Sequence, residues 1–228
     1  MDSLYVTGTD TNVGKTRITA GLAATLRNRG VDVGVMKPFA AGTPQKGRFL
    51  SEDAQILSNA AGTNDAESLV NPQFFPIPAS PYMAWKNLGI KPQISTILSS
   101  FEKLKKLHEM ILVEGVGGIM TPILENYFVA DMIRDMDIST VIVALCRIGT
   151  INHTIMTCRI CAQYDIPIRG IILNGYSGGY KTDELARDLH SLTGIDILGV
   201  VPPLGDIKSD STSDIFESVI DIDALCTV

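Results

Sequence analysis

Near its start the chain reads Leu4-Tyr5-Val6-Thr7-Gly8-Thr9-Asp10-Thr11-Asn12-Val13-Gly14-Lys15-Thr16-Arg17. An apolar run that predicts a strand precedes the glycines, and an amphipathic helix is predicted over residues 15–29. In this context the backbone N–H groups of the loop and the helix N-terminus bind a polyphosphate, the lysine reaches the terminal phosphates, and the following threonine binds magnesium. The sequence therefore predicts a phosphate-binding loop in an α/β nucleotide-binding protein.

The spacing inside this loop is unusual. Five residues separate Gly8 from Gly14, whereas the common pattern has about four at that place. A chance Gly-Lys-Thr in a surface turn is the alternative interpretation. The strand before the loop and the helix after it favour the phosphate-binding interpretation.

Composition excludes several classes of protein. The 228 residues include 19 basic and 25 acidic side chains, which gives a net charge of −6 without a basic block that would bind nucleic acid. Neither a signal sequence nor an apolar run of membrane-spanning length is evident. We therefore expect one domain over residues 1–228, located in the cytoplasm, with reduced cysteines. Cys158 and Cys161 have no second Cys or His pair at the spacing of a zinc site, so we expect them to be ordinary thiols in a helix.

Apolar runs alternate with helical patterns along the chain. Strands are predicted at residues 3–7, 32–36, 110–113, 140–145, 169–173 and 196–200, and helices at residues 15–29, 52–60, 94–107, 151–164 and 181–192. The strands are rich in Val, Ile and Leu without polar alternation, which is typical of parallel strands buried on both faces. The pattern predicts a doubly wound, mostly parallel sheet with helices on both faces, and residues 42–92 are expected to form a long proline-rich excursion with short helices that passes over the sheet edge.

Polar residues follow the predicted strands, where open α/β sheets bind their ligands. Lys37 follows the second strand and is either a fixed cation for phosphoryl transfer or a solvated lysine. Glu114 follows the third strand and either binds magnesium or caps a helix. Asp53 or its neighbour Glu52 could contribute a further carboxylate. The turn of residues 147–153 could bind a carboxylate at a helix N-terminus, or Thr150 could be a plain N-cap.

Together these motifs resemble the dethiobiotin synthetase family of P-loop NTPases. The resemblance rests on the loop of residues 8–16, Lys37-Pro38, Ser80-Pro81, residues 113–118 with Thr121-Pro122, and residues 149–153. It implies closure of a cyclic urea on diaminononanoate with CO2 and ATP, in biotin synthesis. The implied reaction depends on Mg²⁺ and passes through a carbamate and a carbamic-phosphoric anhydride.

The resemblance also implies roles for individual residues. The nucleotide-binding residues would be Asn12, Val13, Gly14, Lys15, Thr16, Arg17, Asp53, Glu114, Gly115, Val116, Gly117, Asn174, Gly175, Pro202, Pro203 and Leu204. The substrate-binding residues would be Thr11, Lys37, Ala41, Gly149, Thr150, Ile151 and Asn152, the last four reaching the substrate of the neighbouring subunit in a homodimer. Lys37 and Lys15 would be catalytic, and Thr16, Asp53 and Glu114 would bind magnesium.

Three positions depart from the family pattern. Ala41 replaces a hydroxyl residue, Tyr82 replaces a histidine, and Glu52 stands where a small residue is usual.

Two rival classes of P-loop protein fit the sequence less well. An amide-forming ligase of cobalamin synthesis would need an amidotransferase domain for which the chain has no room. A switch ATPase of the ParA or MinD type would carry a lysine at the position of Asp10.

Overall fold

The computed structural model describes residues 3–176, 181–203 and 209–226. Its strands are β1 (Leu4–Gly8), β2 (Val33–Met36), β3 (Phe39–Ala41), β4 (Gln73–Phe75), β5 (Met110–Glu114), β6 (Pro122–Leu124), β7 (Tyr127–Phe128), β8 (Ser139–Cys146), β9 (Ile168–Tyr176) and β10 (Ile197–Val201). Its helices are α1 (Lys15–Asn28), α2 (Glu52–Ala61), α3 (Glu67–Val70), α4 (Pro81–Leu88), α5 (Ile94–Leu104), α6 (Val129–Met136), α7 (Thr150–Gln163), α8 (Thr182–Thr193), α9 (Ser209–Val219) and α10 (Ile222–Cys226).

Six strands form the central sheet in the order β10-β9-β8-β1-β5-β2, and all neighbouring pairs are parallel. These are the six strands predicted from the sequence. Successive residues point to opposite faces of a strand: Tyr5 belongs to the core on one face, and Leu4 and Val6 to the core on the other. Because both faces are buried, the strands need to be apolar throughout.

Helices cover both faces, which confirms the predicted doubly wound α/β architecture. One core contains Ile18 of α1, Leu57 of α2 and Phe216 of α9. The other contains Phe101 of α5, Ile133 of α6 and residues of α7 and α8. The three buried cysteines Cys146, Cys158 and Cys161 are thiols, not disulfides, and lie in the second core. No helix among the described residues is both long and apolar enough to span a bilayer.

Close packing fixes α1 on the sheet. The position of a Cβ at Gly21 lies 2.3 Å from the ring of Phe216, so a larger residue would collide with α9. The helix begins directly after Gly14, whose φ of 92° is left-handed. The loop glycine therefore permits the turn, and the glycine inside the helix permits the packing.

Residues 42–92 contain more structure than the sequence pattern indicated. Ser51 caps α2 by accepting a hydrogen bond from Ala54 N, and Ser80 caps α4 in the same way. Strands β3 and β4 form a small parallel pair beside the main sheet. The sequence pattern did not predict this pair, the β6–β7 hairpin or helices α6, α9 and α10. The four strands are only two or three residues long, so an alternation of residue types cannot reveal them.

The imidazole of His108 connects three segments of the chain near the amino ends of β2 and β5. The ring nitrogens of His108 lie 2.8 Å from Asp32 Oδ1 and 3.0 Å from Asp65 Oδ2. Burial acts to lower the pKa of His108, but the two carboxylates outweigh it and raise the pKa above its usual value. The positive charge of this group therefore stabilises the fold at the edge opposite the phosphate-binding loop.

Candidate active site

The phosphate-binding loop leaves β1 and enters α1 as predicted. Asn12 and Gly14 have left-handed φ values of 59° and 92°, which let the loop turn sharply. Lys15 is buried, and its ammonium donates to the carbonyl oxygen of Asp10 over 2.9 Å. The lysine thus bonds to a neutral oxygen of its own loop.

Lys37 is the centre of a charged cluster at the carboxyl ends of the strands. Its Nζ lies 2.6 Å from Glu114 Oε1 and 2.9 Å from Asp53 Oδ2. Its side chain is only 6% exposed, which rules out a solvated lysine. Glu114 ends β5 and caps no helix; it lies against Lys37 instead. Of the two neighbouring acids, Asp53 joins the cluster, whereas Glu52 is exposed.

The charges of the cluster shift the pKa values of its members. Burial acts to lower the pKa of Lys37, but Glu114 and Asp53 outweigh it and hold the pKa above its ordinary value. Burial acts to raise the pKa of Asp53, and the adjacent Lys37 ammonium reverses this to a lowered pKa. Burial and, to a smaller extent, repulsion from the Lys37 ammonium lower the pKa of Lys15 to about 8. The two carboxylates therefore favour the charged form of Lys37, whereas the surroundings of Lys15 make its proton easier to remove.

Thr16 brings a hydroxyl to the same cluster. Its Oγ1 lies 3.1 Å from Asp53 Oδ1 and 2.7 Å from Glu114 Oε1. The other oxygen of Glu114 is buried without a hydrogen-bond partner among the described residues, and burial raises the pKa of this acid. Oxygen atoms from three segments thus lie close together, and Glu114 keeps one oxygen without a donor among the described residues.

These oxygens fit a magnesium ion that is shared with phosphates. The described residues contain no cluster of three or more His, Cys, Asp or Glu side chains arranged for a metal. Mg²⁺ in phosphate-transferring sites is held by one or two carboxylates, water and substrate oxygens. Two carboxylates and one hydroxyl are therefore a suitable set of ligands, with the remaining positions open to phosphate and water.

A cavity of about 990 Å³ lies over this cluster. The predicted residues that line it are Thr11, Asn12, Gly14, Lys15, Thr16, Arg17, Lys37, Ala41, Asp53, Glu114, Gly115, Val116 and Gly117. Val13 is buried beneath the loop. The volume is of the size of a ligand site in an enzyme. The residues predicted to bind phosphate, to bind metal and to be catalytic therefore line one cavity.

The lining also contains apolar residues that were not predicted. Phe39, Ile56, Pro78 and Ala79 contribute an apolar wall, and Glu52 and Ser80 contribute polar groups. The apolar members carry no chemical signature in the sequence. The spacing of Glu52 and Ile56, one helical turn apart on α2, was the available signal that both face one side.

Several predicted residues lie outside this cavity. Asn174 Nδ2 donates to the carbonyl oxygen of Val13 over 2.8 Å, so Asn174 contacts the phosphate-binding loop but does not line the cavity. Gly175 follows it in β9, and the exposed Pro202 and Pro203 follow β10, the strand paired with β9. Leu204 lies outside the described residues.

The turn before α7 also lies outside the cavity of its own chain. Gly149 is the N-cap, with a left-handed φ of 93° and no side-chain cap. Thr150 is buried as the first residue of the helix, and its hydroxyl has no partner among the described residues. The alternative of an N-cap at Thr150 is therefore wrong. Ile151 is partly buried and Asn152 is exposed beside this turn.

Solved structures of low identity share the fold. The ParA family ATPase from Chlorobium tepidum TLS superposes with a TM-score of 0.53 at 15% identity, over 98% of this chain and 92% of that one. MinD from Aquifex aeolicus gives a TM-score of 0.54 at 17% identity, over 94% and 87% of the two chains. At such identities the likeness concerns the fold alone.

Sequence relatives identify the family. An AAA-domain family model matches residues 2–211. The ATP-dependent dethiobiotin synthetase BioD of Nitrosopumilus maritimus is 60% identical over 226 residues, which is 99% of each chain. That of Bacillus licheniformis is 38% identical over 224 residues, 97% of this chain and 94% of the relative. The chain therefore belongs to the dethiobiotin synthetase family of AAA-domain proteins and is an enzyme of the ligase class.

Proposed function

We propose that this enzyme closes the ureido ring of dethiobiotin from diaminononanoate, CO2 and ATP, with Mg²⁺, in biotin synthesis. The similarity to dethiobiotin synthetases over nearly the whole chain supports the reaction. The observation that carries the proposal is the position of Lys37. It is a buried, charged lysine held between two carboxylates at the floor of a cavity that the phosphate-binding loop also lines.

The reaction has to hold two anions close together. One amine adds CO2 and releases a proton to give a carbamate. A carbamate oxygen attacks the γ-phosphorus of ATP, and the bond to ADP breaks. The second amine then attacks the carbonyl carbon of the mixed anhydride, phosphate leaves, and the ring closes with loss of a proton. Fixed cations at the meeting point of carbamate and phosphate lower the repulsion and stabilise the charge of the transition state.

Two lysines supply these cations. Lys37 lies at the floor of the cavity and would bridge the carbamate and the γ-phosphate. Lys15 would exchange its bond to the Asp10 carbonyl for a bond to the transferred phosphate, because a charged acceptor binds an ammonium more strongly than a neutral one. Thr16, Asp53 and Glu114 would hold Mg²⁺, which neutralises phosphate charge when bound.

The remaining assignments concern orientation. Backbone and side chains of residues 12–17 and 114–117 would surround the triphosphate, and Asn174, Gly175, Pro202, Pro203 and Leu204 would hold the base. Thr11 and the backbone at Ala41 would contact the diamine. The turn of Gly149, Thr150, Ile151 and Asn152 lies outside the chain's own cavity, which supports its use on the substrate of a neighbouring subunit in a cytoplasmic homodimer.

The proposed function is tested by the dependence of phosphate release on each substrate. Purified enzyme should release phosphate only when diaminononanoate, bicarbonate, Mg²⁺ and ATP are all present, and dethiobiotin should form in equal amount. Phosphate release that does not respond to the diamine would instead favour a switch ATPase, the function of proteins that share the fold. Asp10 at the position of their loop lysine argues against that alternative.

A further inference from the structure

Asp10 is the acceptor for three donors at the mouth of the phosphate-binding loop. Its Oδ2 accepts a hydrogen bond from Arg147 Nη2 over 3.1 Å, and its Oδ1 accepts one from Thr11 N over 2.7 Å. Its main-chain oxygen accepts the 2.9 Å bond from Lys15 Nζ. One residue thus connects an arginine outside the loop with the lysine that the loop presents to phosphate.

The strand register brings Arg147 to this place. Strands β1 and β8 are parallel neighbours, with Gly8 opposite Val143, and Thr9 N continues the pairing by donating to Val143 O over 3.0 Å. The two chain segments therefore leave the sheet side by side. Arg147 is then held in a tight turn, since its N–H donates to Leu145 O over 2.8 Å. The backbone that carries the guanidinium is consequently anchored independently of the loop.

The carboxylate of Asp10 is a potential competitor for Lys15. It is close enough to Lys15 to raise the pKa of that ammonium by Coulomb attraction. A direct ion pair between the two would be stronger than the present bond to a neutral carbonyl oxygen, and it would have to break before Lys15 could bind phosphate. In the structure the two oxygens of this carboxylate accept from Arg147 Nη2 and Thr11 N instead.

We propose that Arg147 is a positioning residue that restrains the Asp10 carboxylate and thereby keeps Lys15 free to bind the phosphate of the nucleotide. It acts through Asp10. The assignment deepens the proposed function and rests on it for the reaction, whereas its effect on nucleotide binding is independent of that function. Arg147 and Asp10 are 45% and 50% exposed, so their ion pair contributes little to folding stability. A purely structural role therefore predicts almost no consequence of its removal.

The test compares Arg147→Gln with Arg147→Lys and with the double variant Asp10→Asn/Arg147→Gln. We expect Arg147→Gln to weaken ATP binding and raise its KM about ten-fold, the order that one competing charge produces near a protein surface. The KM of the diamine should change less, and the thermal midpoint should move by no more than about 3 °C. Arg147→Lys should retain most of the affinity because a single donor makes the contact.

The double variant is decisive, because a neutral amide at position 10 cannot form an ion pair with Lys15 but can still accept from Thr11 N. We expect it to recover ATP affinity to within about three-fold of the wild type. The control Lys105→Gln removes an exposed cation paired with Glu102 on α5 and should leave affinity unchanged. Unchanged affinity in Arg147→Gln would overturn the proposal. So would a double variant that is as weak as Arg147→Gln, since Arg147 would then act on the ligand directly.

The two readouts separate this proposal from the proposed function. Nucleotide affinity is measured by titration of the full-length protein with ATP, and diamine-dependent phosphate release is measured in parallel. A wild type that binds ATP but ignores the diamine would refute the ligase reaction and leave the role of Arg147 standing. A wild type with full ligase activity and an Arg147→Gln variant with normal ATP affinity would refute only the role of Arg147.

Discussion

Replacing Lys37 by methionine should damage both stability and turnover, for separable reasons. Methionine has a similar length but no charge and no donor. The substitution leaves Glu114, whose side chain is 1% exposed, without its cation, whereas Asp53 is 42% exposed and can be hydrated. Breaking a buried ion pair by removing one partner costs about 3–5 kcal/mol. The penalty arises almost entirely at Glu114.

This cost can be measured by thermal unfolding. For a protein of this size, each kcal/mol shifts the midpoint by about 2–4 °C, so Lys37→Met should lower it by roughly 6–20 °C. Adding Glu114→Gln removes the unpaired charge and should restore most of the loss. As a matched control, Lys105→Met removes an exposed lysine whose partner Glu102 is 59% exposed, and it should change the midpoint by about 2 °C or less.

Turnover is measured with saturating substrates, well below the midpoint of the variant, so that the protein is folded. We expect kcat of Lys37→Met to fall about 100-fold or more, which corresponds to loss of one preorganised transition-state contact. ATP affinity should persist, because Lys15 and the loop backbone remain. A folded variant with kcat within about three-fold of the wild type would remove Lys37 from the mechanism. An unchanged midpoint would show that Glu114 does not depend on its lysine.

Three further substitutions test other parts of the structure. Ala41→Ser adds a hydroxyl to the cavity and should lower the KM of the diamine about five-fold, the equivalent of about 1 kcal/mol for a neutral hydrogen bond; a higher KM would contradict this. Gly21→Ala should destabilise the protein by about 1–3 kcal/mol through its collision with Phe216, although alanine gains roughly 1 kcal/mol in helix propensity. Adding Phe216→Leu should relieve part of that cost, and a stabilised Gly21→Ala would refute the packing argument. Because the folded pKa of His108 is raised, its stabilisation is present below the unfolded pKa of about 6.5 and is lost as the pH rises through the folded pKa. The difference in thermal midpoint between wild type and His108→Gln should therefore shrink with rising pH, and a difference that grows would contradict the ion pairs.

The central sheet was predictable because its signals are local. Each strand is a short apolar run, and the loop of residues 8–16 carries its function in its own residue types. The small pair β3–β4 was not predictable, since its strands are three residues each and are separated by a long segment that contains α2 and α3. Pairing of that kind depends on what the main sheet leaves uncovered.

The candidate site, too, was only partly predictable from the sequence. The sequence indicated Lys15, Lys37 and Glu114 by their places after strands, but the residue pattern left Asp53 and Glu52 as alternatives, and the family resemblance alone favoured Asp53. The structure gives the physical reason, because adjacent residues on a helix point in directions about 100° apart and only Asp53 meets Lys37. The charge state of Lys37 also depends on neighbours that are far away in sequence.

The amino-acid sequence by itself determined the strand–loop–helix that binds phosphate, the parallel sheet buried on both faces and the family. These properties follow from the types of residue and their spacing within short segments of the chain. Tertiary structure alone decided which carboxylate joins Lys37, which apolar side chains wall the cavity, and that Arg147 reaches Asp10 from 137 residues away. Such contacts arise from the parallel register of strands that are distant in the chain, and no local pattern encodes that register.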